Sequence, residues 1–188
     1  MPTDSYSKKS KYPSVTRVLS PFSNYDTIHP TTLGRAAERG TVVHSHCSAY
    51  LLGQWTPPPN PDYRGYVESA RQWIDTFVDE VLLVEQELED HELQFCGHPD
   101  TIVRSAKLGG VLLIDWKTPA QVHRKNWGAQ LAAYERLAKA NGYPAIDRIG
   151  ALRLNKDGSM ARFDEFTENR LAFWNAFFAA LVAYRFFN

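Results

Sequence analysis

Asp115 and Lys117 stand two positions apart at the end of the aliphatic run LLIDWKT. A strand sends residues i and i+2 to the same face. Carboxylate and ammonium therefore point one way, at the end of an element that is otherwise apolar. Alone, such a pair reads as a salt bridge at a strand end. Its meaning changes with the strand-like stretch before it, which carries GHPD. There Gly97 and Pro99 disturb the strand just ahead of Asp100, because proline inside a sheet is confined to edges and irregularities. Two neighbouring antiparallel strands can thus bring Asp100, Asp115 and Lys117 together. Carboxylates held close push one another's pKa up unless a cation compensates. A divalent ion supplies that cation, and hard oxygen donors suit Mg²⁺ or Mn²⁺.

The elements that must position these groups are legible from periodicity. Residues 12–22, YPSVTRVLSPF, suggest one or two helical turns between prolines. Residues 29–53 carry apolar side chains at helical spacing, with Thr31 or Thr32 as cap. Gly40 within them marks a break or a close approach. A proline-rich loop comes next, then an amphipathic helix over 64–82. The period then shortens: residues 82–90, 92–105 and 109–118 read as three strands joined by hairpin-compatible turns. A helix over 125–140 ends at NGYP, residues 145–166 form a hairpin turning at Asn155–Gly158, and a last aromatic helix fills the remainder. The class is mixed α/β. Gln130 and Tyr134, four apart on the 125–140 helix, share one face and can both look at the strand ends.

Bulk properties bound the function. A chain of 188 residues suits one globular domain, here with an N-terminal arm over about residues 1–12. Lys and Arg number 21 against 21 Asp and Glu, so no global basic field advertises nucleic acid, although a local acidic metal site would cancel a basic groove. The local positives available to grip DNA are Lys8, Lys9 and Lys11, Arg35 and Arg39, and Arg124 and Lys125, while Trp127 and Tyr63 could stack on bases. Two cysteines, Cys47 and Cys96, are too few for a disulfide framework and point to a reducing cytoplasm. The N-terminus lacks the apolar core of a signal peptide. The run LAFWNAFFAALVAYRFF is interrupted by Asn175 and Arg185 and falls short of a bilayer span.

Taken in order, RGTVVHSH, GHPD, LLIDWKT and NWGAQLAAYERLA resemble the motifs of the PD-(D/E)XK nuclease superfamily. More narrowly, they resemble its RecB-like exonucleases, the branch with phage-encoded members and the mitochondrial genome maintenance exonuclease. The match covers about residues 12–137. It implies a restriction-endonuclease-like core of αβββαβ type, a central mixed sheet flanked by helices. It further implies His44, Asp100 and Asp115 as metal ligands, joined by the backbone carbonyl of Trp116, whose side chain points away. Lys117 takes the catalytic lysine's place, and Gln130 and Tyr134 that of the Q-x-x-x-Y motif. Glu87 holds the place of an additional acidic ligand, with Glu85 its equally aligned rival. His46 and His98 receive no role, and with two cysteines the iron–sulfur cluster of some members is excluded.

The implied activity is Mg²⁺- or Mn²⁺-dependent hydrolysis of DNA by an exonuclease acting in phage or bacterial recombination, repair or replication. DNA ends would be the partner, with no membrane, and a homo-oligomer or a recombination helper protein is conceivable. Two other readings use the same scaffold: a non-catalytic nucleic-acid or partner-binding module, and a structure-specific endonuclease.

Overall fold

Alternating aliphatic residues, then helical ones, then alternating ones again build a sheet with a helical crossover in the middle. The computed structural model describes residues 10–23, 29–119 and 121–188. Lys8 and Lys9, and with them most of the N-terminal arm, lie outside the described residues. Helix α1 (Val15–Leu19) runs into a short 3-10 turn at Ser20–Phe22. Beyond it stand α2 (Pro30–Leu51), α3 (Pro61–Phe77), β1 (Glu80–Val84), β2 (Leu88–Asp90), β3 (Phe95–Gly97), β4 (Thr101–Ser105) and β5 (Gly110–Lys117). Then come α4 (Arg124–Ala140), β6 (Arg148–Arg153), β7 (Arg162–Glu165) and α5 (Arg170–Phe187).

Five strands form one mixed sheet in the order β1-β4-β5-β6-β7. Within this sheet only β5 and β6 pair in parallel, and α4 is the crossover such a pair requires. Helices cover both faces, as the mixed α/β class with a central sheet expects, and the arrangement is consistent with a restriction-endonuclease-like core. On one face Leu113, Ile149 and Ala151 pack with Leu131, Leu137 and Phe177. On the other, Leu112, Ile114, Trp116 and Leu152 pack with Val43, Val67 and Trp73. Strand β5 is an apolar run buried on both faces, and its successive side chains go to the two cores in turn. Its last turn of the pleat puts Trp116 on the α2/α3 side and leaves Asp115 and Lys117 for the side of α4.

Four expectations are corrected. The helix over 64–82 begins earlier and ends at Phe77, because Asn60 accepts from the Asp62 N–H, Pro61 opens the first turn, and Val78 is already extended. Val81 belongs to β1 instead. The runs 82–90 and 92–105 are four strands, not two: the chain breaks after Val84, where Glu85 adopts φ 46°, and again at His98–Asp100. The cap of α2 is His29, whose ring accepts from the Thr31 N–H, rather than either threonine. Gly40 is neither break nor close approach, since α2 runs on through it and an added Cβ would meet nothing within 4 Å. No helix among the described residues is long and apolar enough to cross a membrane.

The small β2–β3 hairpin is bolted to α4 through a buried carboxylate. Asp90, 1% exposed, accepts from the Leu93 N–H at 2.8 Å and from Arg136 Nε at 2.7 Å. Burial raises its carboxyl, but these donors outweigh it and hold the group below the ordinary 3.8. A depressed carboxylate stabilises the fold above its unfolded pKa and ceases to do so as pH falls through the folded value. Asp90→Asn is thus expected to cost about 2 kcal/mol at neutral pH. In thermal melts the gap between the two proteins should close as pH drops below about 4. A gap unchanged from neutral pH into acid would contradict this account.

Candidate active site

The groups gather at one end of the sheet, where β1, β4 and β5 meet α2 and α4. The irregularity after β3 matters here. His98 and Pro99 end the hairpin, so Asp100 enters β4 from a bend and lies 6% exposed. Its two oxygens have separate partners. Oδ2 accepts from the Trp116 N–H at 2.6 Å, and Oδ1 lies 3.3 Å from His44 Nδ1. The positive φ at Glu85 turns the chain out of β1, and its N–H donates to the Asp100 carbonyl at 3.0 Å. That bond sets the two carboxylates side by side. Glu85 Oε1 is 4.0 Å from His44 Nδ1 and accepts from Ser48 Oγ at 3.4 Å.

His44 reaches in from α2. Its Nε2–H donates to the Trp116 carbonyl at 2.9 Å while Nδ1 faces Asp100. Burial disfavours imidazolium, but Asp100 and then Asp115 outweigh it, and His44 is pushed up to about 9. Proton and divalent cation are competing ways to neutralise these carboxylates. Burial first, then Asp100 and Asp115, raises Glu85 against the pull of His44 and Ser48. Asp115 is raised by burial and by Asp100, with Lys117 opposing.

On the α4 side, Lys117 Nζ contacts Asp115 Oδ2 directly and donates to Gln130 Oε1 at 3.1 Å. Gln130 Nε2 in turn donates to the Tyr134 hydroxyl at 3.1 Å. Tyr134 is buried, and burial followed by Asp115 pushes its phenol up. Asp115 and Lys117 are therefore each other's close partners here, where the family resemblance assigns them apart, to metal and to catalysis.

A divalent ion can be fitted to the donors present. One ligand atom each from His44, Glu85 and Asp100 lie within 4.8 Å of one another. Two of the three are carboxylates, the donors that Mg²⁺ and Mn²⁺ favour. Asp115 stands next to this trio, engaged by Lys117, and the Trp116 carbonyl is engaged by His44. Glu87 lies apart, its Oε1 4.0 Å from His98 Nε2. The alternation of a continuous strand cannot separate Glu85 from Glu87; the turn at Glu85 does.

Two residues have a part here that the sequence pattern does not announce. Ser48 steadies Glu85, one turn on from His44. Arg39, a candidate DNA contact, instead donates to the Thr118 hydroxyl at 3.3 Å and the Thr118 carbonyl at 2.9 Å. It ties α2 to the end of β5. The only signal for this is that Arg39 and Thr118 both sit in the motif-bearing stretches. Arg124 donates to the Glu165 carbonyl at 3.2 Å and lies over Phe166. Trp127 is 6% exposed, too buried to stack on a base, and Tyr63 packs against the core. His46 faces away, bonded to Thr56 Oγ1 at 3.0 Å.

No family model and no curated protein matches this chain. Among solved structures, it is similar to that of LHK-Exo in complex with dAMP, at 16% identity and a TM-score of 0.41, over 92% of this chain and 86% of that one. A likeness at that level does not say which residues act, so the chemistry rests on the side chains themselves.

Proposed function

We propose that this chain hydrolyses phosphodiester bonds of DNA with a divalent metal. The observation that carries the reading is the convergence of Glu85, Asp100, Asp115 and His44 on one sheet end, with Lys117 held beside them. A degenerate binding module would not be expected to keep Asp100, Asp115 and Lys117 together with Gln130 arranged on the lysine.

His44, Glu85 and Asp100 would hold the metal, with Asp115 and the Trp116 carbonyl next in reach. A bound Mg²⁺ or Mn²⁺ supplies neutralisation of a non-bridging phosphate oxygen and acidification of a water. The protein's own groups do the rest. Trp116 N–H fixes the Asp100 carboxylate so that its other oxygen faces His44 and Glu85. Lys117, steered by Asp115 and Gln130, presents a positive charge to the attacked phosphate and orients the water. An ammonium resting on a carboxylate suits that task better than proton abstraction. Tyr134 fixes Gln130 and thereby the lysine.

The finer reading is an exonuclease acting on DNA ends in recombination, repair or replication, in a phage-infected or bacterial cytoplasm. The Q-x-x-x-Y helix and His44 support it by their resemblance to that branch. A homo-oligomer or helper protein would find an apolar surface on α5, where Leu171, Phe178, Val182, Phe186 and Phe187 are exposed.

End-labelled single- and double-stranded DNA tests the reading. Nucleotide release is expected with Mg²⁺ or Mn²⁺, and none with EDTA or in Asp115→Ala. Release that ignores EDTA would overturn it, and cutting of closed circular DNA would move the reading to an endonuclease.

A further inference from the structure

Beside the metal-side recess lies a second one that the proposed chemistry does not use. The first, about 750 Å³, is lined by His44, Ser48 and Glu85. The second, about 520 Å³, lies between α2, the proline-rich loop and α3. Gln54 and Thr56 line both, so they are a shared wall between neighbours. Trp55 sits on that wall and is 83% exposed. Leaving an indole in water forgoes a large burial gain, and this one is held there. Thr56 is hydrogen-bonded to His46 on α2 at 3.0 Å, and prolines 57–59 stiffen the chain immediately after it.

The opposite wall offers a cation. Arg71, on α3, lies over the Tyr50 ring at 5.0 Å. Its Nε is buried and has no hydrogen-bond partner among the described residues. Arg71 also lines the recess, and an anionic oxygen is the best partner for its guanidinium. Arg64 adds a second cation at the exposed rim, and Glu68, also lining the recess, limits the positive field.

We propose that this recess holds one nucleotide of an unpaired DNA strand, with its base on Trp55 and its phosphate on Arg71. The inference rests on the hydrolytic reading, because the strand continues across Gln54 and Thr56 into the metal-side recess. A flat aromatic and a guanidinium together recognise what every nucleotide shares, a π face and a phosphate. The recess is therefore a positioning subsite that tolerates any sequence.

The test is binding of a short fluorescein-labelled oligo(dT), with EDTA present so that the strand is not consumed. Hydrolysis of bis-p-nitrophenyl phosphate in Mn²⁺, a diester too small to span both recesses, is read in parallel. Trp55→Ala is expected to weaken oligonucleotide binding about tenfold and to leave small-diester hydrolysis unchanged. Arg71→Ala is expected to weaken binding as well and to lower the slope of log affinity on log salt by about 0.7. Parent-like oligonucleotide affinity in both variants overturns the proposal, as does failure of the parent to bind. So does equal loss of both readouts in Trp55→Ala. A parent that binds through Trp55 yet hydrolyses neither the small diester nor end-labelled DNA in Mn²⁺ keeps the subsite and removes the nuclease reading instead.

Discussion

Lys117→Met is expected to lower DNA hydrolysis about 10³-fold or more while leaving Mn²⁺ binding intact. The two effects separate because the lysine stands outside the trio whose donor atoms lie within 4.8 Å of one another. Its Nζ is engaged by Asp115 and Gln130, so its loss removes a positive charge from the attacked phosphate but no oxygen ligand. Removing that charge also lets the carboxylates attract a cation more strongly, so Mn²⁺ affinity should hold or rise. Asp100→Asn is the contrasting case. One Asp100 oxygen is spent on the Trp116 N–H and the other faces His44, so neutralising the group weakens the trio at its centre. Both Mn²⁺ binding and hydrolysis should then fall. Calorimetric titration with Mn²⁺ and single-turnover cleavage separate the two variants. A Lys117→Met protein that cleaves within tenfold of the parent would end the role given to this lysine.

Legibility from sequence divides along physical lines. The face shared by Asp115 and Lys117, and the opposite face taken by Trp116, come from the period of a strand, and β5 has it. The face shared by Gln130 and Tyr134 comes from the helix period in the same way, and their side chains do meet. Periodicity fails where the backbone leaves regular geometry. Glu85 and Glu87 are equivalent on a continuous strand; φ 46° at Glu85 makes them different, and no pattern of residue types announces a positive φ at a glutamate. The same break splits the predicted runs into a sheet strand and a separate hairpin. Long-range pairings are equally silent. Arg39 reads as a surface cation because its partner, Thr118, is 79 residues away. Arg71 and Trp55 read as a helix residue and a loop residue until the fold sets them at one recess. Burial is equally hidden at Trp127, whose neighbours Arg124 and Lys125 suggest a surface that the sheet in fact covers.

Gly65→Ala is expected to destabilise the protein by about 3 kcal/mol, although alanine is the better helix former by about 1 kcal/mol. The position lies in the first half of α3, against the loop joining β6 to β7. A Cβ there would stand 1.8 Å from the Lys156 carbonyl oxygen and 3.1 Å from the Gly158 nitrogen. Both obstacles are backbone, so no side-chain rotation relieves them. The loop must move, and it is not free to do so. Asn155 N–H donates to Ser69 Oγ at 2.9 Å, and Gln72 Nε2 to the Gly158 carbonyl at 2.8 Å. Leu154 and Ala161, at the loop's two ends, are buried in the core under α2 and α3. Overpacking against fixed backbone costs about 1–3 kcal/mol, and each hydrogen bond broken adds about 1 kcal/mol, which together outweigh the propensity gain. The melting temperature should drop by about 6–12 °C. Gly40→Ala is the control that isolates the cause. It makes the same chemical change in α2, where the added methyl meets nothing within 4 Å, so propensity acts alone and stability should rise by about 1 kcal/mol. Two glycine-to-alanine changes in helices then move stability in opposite directions, and only a steric contact separates them. Equal shifts of one sign would mean that α3 does not lean on this loop.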